Sequence, residues 1–218
     1  MINLIYANGC SHTAGAEIEG DFAGDCTRKS FPAKIANYYN CNVINDALSG
    51  GSCDRVVRTT LEFVEHYKID KKDTSKLFII IGWPGYHRTE IKHNGWIIPL
   101  CASTFTNKDP DWIPNNIKHW FVNGMSVGDE DFMIYKIQIQ ILLMQEYLKS
   151  QGIKFLFFSA WQYLPAGTLT DSLIFDSISE KTFYRKDSNY NDLMLKQGFQ
   201  KRAGHHFNES AHSFFLIC

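Results

Sequence analysis

The run LFIIIG, Leu77 to Gly82, constrains this chain more than any other stretch. A continuous apolar run of that length, closed by glycine, fits a strand covered on both faces, as in a parallel sheet with helices on either side. Two earlier stretches share the layout. Leu4 to Ala7 runs into Gly9-Cys10-Ser11-His12-Thr13, and Cys41 to Ala47 runs into Leu48-Ser49-Gly50-Gly51-Ser52. Helical periodicity follows them. Phe31 to Asn40 has Pro32 in its first turn and apolar residues at 31, 35 and 38, and Val56 to Tyr67 has them at 57, 61 and 64. Strand, glycine turn and helix in alternation predict an α/β fold with a parallel sheet and right-handed crossovers. A long amphipathic helix over Phe132 to Ser150, striped by Ile134, Ile137, Ile141, Met144 and Leu148, then leads into a fourth buried strand, Ile153 to Ser159.

The rhythm breaks from Ile91 to Asp131. A hairpin or edge strand is expected at Trp96 to Leu100, followed by a loop-rich aromatic segment, DPDWIPNNIKHWFVNG. An irregular insertion of that length reads as a lid or a binding loop. Trp96, Trp112, Trp120 and Phe121 either pack the insertion onto the domain, the commoner outcome, or form a platform for a sugar or an acyl group. Residues 164 to 200 carry little periodicity beyond a short helix around Asp171 to Ser179. Asn208 is placed to cap a closing helix, Ala211 to Cys218. No repeat or linker divides the sequence, so residues 1–218 are expected to form one domain with an insertion at about 91–131.

Composition excludes several classes. With a net charge of −1 and interspersed acids and bases, nothing suggests a nucleic-acid partner or an anionic membrane surface. No apolar run reaches the roughly 18 residues of a membrane span. The start lacks the basic and apolar regions of a signal peptide, so a cytoplasmic location is expected. The cysteines at 10, 26, 41, 53, 101 and 218 show no CxxC and no zinc spacing, and they read as reduced thiols with no metal site. Neither GxGxxG nor GxxxxGK[ST] is present, so no dinucleotide or P-loop cofactor is implied.

Chemistry gathers at the strand exits. Ser11 either caps a helix or presents its hydroxyl at the carboxyl edge of the sheet, where ligands bind in open α/β folds. Backbone N–H groups around it, and those of the paired Gly50 and Gly51, can hold an oxyanion. Near the other end, AGHHFNESAH supplies His205, His206 and His212. A serine needs a base, usually histidine, and these two edges can meet in a doubly wound sheet. The same histidine cluster could instead bind a metal or form a solvated helix start. Cys10 reads as a small core residue.

The motifs NGCSHT, GGSxDR, IGWxxxxRxE and GHHFNExxH, in that order, resemble the SGNH (GDSL-like) hydrolase superfamily, especially short members encoded by tailed phages. The resemblance implies a flavodoxin-like three-layer α/β/α sandwich and ester hydrolysis, often of O-acetyl groups on carbohydrates, without a cofactor. It implies Ser11 as nucleophile, with the N–H groups of Ser11 and of Gly51 or Gly50 as oxyanion hole. His206 would be the base, with His205 as the alternative. The family's oxyanion asparagine is replaced by Pro84, and its acid, three residues before the histidine, by Ala203. Arg88, Asp54 or His12 can substitute for the lost donor. Arg88 and Glu90 are candidates for an ion pair or a substrate contact, and His212 is expected to be structural. The expected function is a serine esterase acting on a small-molecule or carbohydrate ester. The alternative is an impaired glycan-binding or virion-associated module, located in a host-cell cytoplasm or a virion if phage-encoded.

Overall fold

The computed structural model describes residues 1–20, 24–101, 113–127, 130–161, 173–186, 188–203 and 205–214. Four parallel strands, β1 (Leu4–Gly9), β2 (Asn42–Asn45), β3 (Leu77–Trp83) and β6 (Lys154–Ser159), lie in the order β2-β1-β3-β6. Two further strands, β4 (Arg88–His93) and β5 (Trp96–Cys101), form a separate antiparallel pair. The helices are α1 (Ser11–Ala14), α2 (Phe31–Tyr38), α3 (Cys53–Ile69), α4 (Asn115–Val127), α5 (Glu130–Ser150), α6 (Leu173–Ser177), α7 (Tyr190–Lys196) and α8 (Glu209–Phe214). None of them is long and apolar enough to cross a membrane.

Alternation along each strand sorts its side chains between two cores. Tyr6, Leu77, Ile79, Ile81, Trp83, Phe155 and Phe157 face one layer, where α3 and α5 bury Val56, Val64, Ile141, Met144 and Leu148. Ile5, Ala7, Ile80 and Phe158 face the other, against Phe31 and Ala36 of α2, Leu193 and Met194 of α7, and Ala211 of α8. The result is the α/β/α sandwich expected from the sequence. Cys10 is buried in the second core. All five predicted apolar positions of α5 are buried.

Two contacts fix the carboxyl edge of the sheet. The first is a close approach. Gly9 and Gly82 are register partners on β1 and β3, and Thr13 of α1 sits directly over both. A Cβ on Gly82 would stand 2.6 Å from the Phe158 ring and closer still to Thr13 Oγ1. The second is a buried polar network. Asn8 Nδ2 donates to Thr59 Oγ1 (2.8 Å) and Thr60 Oγ1 (3.0 Å) on α3, and Asn8 Oδ1 accepts from Arg55 Nη1 (3.2 Å). Arg55 also reaches the Asp46 carbonyl (2.7 Å) and carboxylate (2.9 Å), which takes the Tyr6 hydroxyl as well (2.8 Å). The start of α3, and with it the Gly50-Gly51 turn, is thereby tied to β1.

The insertion differs from expectation. The segment expected as an aromatic loop contains α4, because Ile117, Trp120, Phe121 and Gly124 follow helical spacing once Pro114 has started the turn. The hairpin begins at Arg88, earlier than expected, and turns on Asn94-Gly95, both at positive φ (49° and 83°) as a two-residue type I′ turn requires. Ile98, Leu100, Ile113 and Phe121 form a small core of their own. Phe121 therefore packs, whereas Trp96 and Trp120 are exposed. Trp112, and the ends of the helices expected at Asp171–Ser179 and Ala211–Cys218, lie outside the described residues. Helix α7 had no sequence signal beyond its cap, Asn189, whose Oδ1 accepts from Asp192 N–H (2.8 Å).

Helix α8 starts as expected, with Asn208 Oδ1 accepting from Ala211 N–H (3.2 Å). It carries His212, whose Nδ1 accepts from the Phe31 N–H (3.2 Å) at the start of α2 and whose ring stacks on Phe31. Burial drives the His212 pKa down to about 3, so the folded protein holds it neutral.

Two predictions follow from these contacts. Gly82→Ala should lose about 1–3 kcal/mol in urea denaturation, because neither the Thr13 side chain nor the Phe158 ring can yield cheaply. Gly24→Ala, where a Cβ meets open space, should stay within about 0.5 kcal/mol of the parent. Because the folded pKa of His212 lies below its unfolded value near 6.5, its contribution is full above that pH. It should be lost as pH falls towards 3, at up to about 1.4 kcal/mol per unit. Denaturation of His212→Gln between pH 7 and 5 should show a correspondingly shallower decline than the parent.

Candidate active site

Ser11 opens α1 immediately beyond β1, after a turn in which Gly9 lies against Thr13 and the Gly82 carbonyl. It is 5% exposed. In this first turn the amides of Thr13 and Ala14 donate to the Cys10 carbonyl, while those of Ser11 and His12 donate to no backbone acceptor among the described residues. Beside the serine, then, two N–H groups have no backbone acceptor among the described residues.

The loop before α8 delivers the histidines. Lys201 bridges to Phe207, Arg202 N–H donates to the His206 carbonyl (2.8 Å), and His205 N–H donates to the Arg202 carbonyl (2.9 Å). This tight turn places His205 at φ 71° and exposed. His206 turns inward, its ring 5.1 Å from that of His12. No direct hydrogen bond joins Ser11 to His206 among the described residues. Catalytic hydrogen bonds are often long or poorly aligned without substrate.

The residue that sequence reasoning missed is Glu17. Its Oε2 lies 3.3 Å from His206 Nδ1 and 3.3 Å from the His206 N–H. Ala203, at the family's acid position, is exposed. Glu17 is only 4% exposed and sits at φ 62°, in the left-handed region that costs a non-glycine residue on the order of 1 kcal/mol. Nothing in AEIEGD marks it, since a glutamate in a polar loop ordinarily faces water.

Electrostatics favour neutral imidazoles. Burial is the largest effect on His206 and lowers its pKa. The Glu17 carboxylate opposes this and Arg88 reinforces it, leaving a net depression. His12 is buried completely and held well below the usual range by burial, then by His206 and Arg88. Both its ring nitrogens lack a hydrogen-bond partner, and it packs between Trp161, Tyr190 and His206.

The remaining sequence candidates divide. Gly51 N–H is engaged by the Leu48 carbonyl (2.8 Å), whereas Gly50, at φ 78°, donates to none of the described residues. Ser49 hydrogen-bonds Asp25 through its amide and its hydroxyl, holding this turn against the loop after α1. Pro84 accepts through its carbonyl from Cys53 Sγ (3.4 Å) and has no side-chain donor. Glu90 does not pair with Arg88. It makes a two-pronged pair with Arg58 of α3 (2.7 and 2.9 Å). Asp54 pairs with neither arginine but accepts from Thr89 Oγ1 (2.9 Å) and Gln140 Nε2 (2.9 Å). Arg88 leans over the glycine turn, Nη1 3.5 Å from the Gly51 carbonyl.

Beyond Arg88 a cavity of about 240 Å³ opens between the hairpin, α4 and the starts of α3 and α5. Cys53, Tyr86, Met133 and Ile137 supply apolar wall, and Trp120 stands at its mouth. Among the described residues no group of three or more His, Cys, Asp or Glu is arranged to hold a metal ion.

Residues 23–170 match DUF6071, a family of unknown function. The chain belongs to that family. The matched stretch of this DUF6071 chain includes the glycine turn and Arg88 but not Ser11, Glu17 or His206. No curated protein matches it. Among solved structures, the psychrotrophic esterase EstA from Pseudoalteromonas sp., in a form inhibited by monoethylphosphonate, is similar at 14% identity and TM-score 0.53, covering 99% of this chain and 93% of that one. TesA is similar at 13% identity and TM-score 0.51, covering 99% and 94%. LAE5, an α/β hydrolase enzyme from the metagenome of Lake Arreo, Spain, is similar at 10% identity and TM-score 0.50, covering 99% and 91%. At such identities the likeness establishes the fold, which is that of the SGNH hydrolases.

The geometry makes the titration of His206 a direct probe. Its midpoint by NMR should fall below 6.5. In Glu17→Gln it should fall further, because the carboxylate is what holds it up; an upward shift would show that Glu17 does not face the ring.

Proposed function

We propose that the chain is a serine esterase in which Ser11, His206 and Glu17 act together. The observation that carries this reading is the buried Glu17 carboxylate against His206 Nδ1, at the strand edge that also presents Ser11. A proton on Nδ1, facing the Glu17 carboxylate 3.3 Å away, leaves Nε2 as the nitrogen to take the serine proton. Ser11 Oγ attacks the acyl carbonyl, and His206 takes its proton and returns it to the leaving alkoxide. Water then attacks the acyl-enzyme with His206 again as base. The developing oxyanion is met by the Ser11 N–H and, since the Gly51 N–H is engaged, by that of Gly50. Burial keeps His206 neutral and ready to accept a proton at pH 7. The substrate is a small-molecule or carbohydrate ester, such as an O-acetylated sugar.

A second reading, a glycan-binding or virion-associated module on the same fold, is favoured by three observations. Pro84 supplies no amide, the Gly51 N–H is engaged, and Ser11 and His206 make no direct hydrogen bond. Hydrolysis of p-nitrophenyl acetate decides between the two. Under the esterase reading Ser11→Ala and His206→Ala each lose at least ~10³-fold in kcat with the fold intact. Glu17→Gln should lose roughly 10²–10⁴-fold and move the acidic limb of the rate profile to lower pH. Turnover by Ser11→Ala equal to the parent would overturn the esterase reading. Glycan binding without product would establish the module.

A further inference from the structure

We propose that the cavity beside Arg88 is a subsite for a carboxylate on the substrate, so that the ester acted on is carried by an acidic sugar. The assignment rests on Ser11 and His206 as the reaction centre, because Arg88 spans the two regions. It leans over the glycine turn on one side and lines the cavity on the other.

The charges lining this cavity do not balance. Arg88 and Lys136 are its cations, and neither pairs with a carboxylate among the described residues. Among the described residues Arg88 Nε is buried without a hydrogen-bond partner, and the hydrogen bond from Nη1 to the Gly51 carbonyl is long at 3.5 Å. A planar guanidinium with an unused edge is a fitting partner for a carboxylate, which it can take in two parallel hydrogen bonds. Asp54, the cavity's acid, already accepts on both oxygens, from Thr89 and Gln140. It therefore offers Arg88 no substitute. Nearby Glu90 is committed to Arg58. The arrangement leaves positive charge facing an open space.

The shape of the cavity narrows the class. At about 240 Å³ it lies below the roughly 300–1,000 Å³ typical of pockets for drug-sized ligands, so it suits one ring rather than an extended chain. Trp120, 57% exposed at the mouth, offers a face on which a pyranose can stack. A carboxylated sugar ring meets the charge and the stacking surface together.

Binding of methyl glucuronoside and methyl glucoside to Ser11→Ala, measured by calorimetry, tests the assignment without requiring turnover. The glucuronoside should bind at least about tenfold more tightly, with a preference that weakens as salt rises. Arg88→Gln should abolish the preference. Lys136→Gln, an exposed position whose substitution leaves folding undisturbed, should reduce it. Equal affinities for the two sugars, or no binding of either, would overturn the proposal, as would a preference that survives both substitutions. The two readings fail separately. Hydrolysis of p-nitrophenyl acetate by the parent without acid preference would leave the esterase and remove the subsite. Acid preference without hydrolysis would leave the subsite and remove the esterase.

Discussion

The buried amide of Asn8 is the contact on which the rest of the edge depends. Its donors are satisfied by two threonines of α3 and its acceptor by Arg55, so one side chain joins the last turns of β1 to the helix after the glycine turn. A buried amide with its partners in place specifies a position, whereas one deprived of them costs about 1–3 kcal/mol. Arg55 then passes the constraint to Asp46, at the end of β2. Three elements that supply the serine exit, the glycine turn and the floor between them are held by a polar knot in addition to their apolar packing, which alone would tolerate sliding.

Much of this was legible in the sequence. LFIIIG reads as a buried parallel strand because both of its faces are covered, and the stripe of α5 reads as a helix because one face is. Pattern fails where the local sequence is polar on average or the partner is remote. Helix α4 hides behind Pro114 and its neighbouring polar residues, although Ile117, Trp120 and Phe121 carry its period. The Asn94-Gly95 turn states its own geometry, yet the strand before it, RTEIKH, is too charged to announce itself. Glu17 is the extreme case. Its burial depends on His206, 189 positions away, and no local rule carries that information.

Charge around the site follows one logic. His12, His206 and His212 are all pushed towards the neutral form, and burial is the leading cause for each. They also repel one another's protons, since His206 bears on both of the others. Arg88 adds to this at His12 and His206. Carboxylates oppose the trend at two of them, Glu17 at His206 and Glu209 at His212, and at His206 the opposing carboxylate stands against the ring itself.

The left-handed backbone at Glu17 sets two demands against each other at one position. A glycine there would relieve the torsion, but it would also remove the carboxylate that stands against His206. Under the proposed esterase reading, the same exchange would take from His206 the carboxylate that faces its ring. At this one position, backbone relaxation and the carboxylate contact to His206 cannot both be had, so a substitution chosen for its torsion alone would change the setting of the histidine 189 positions away.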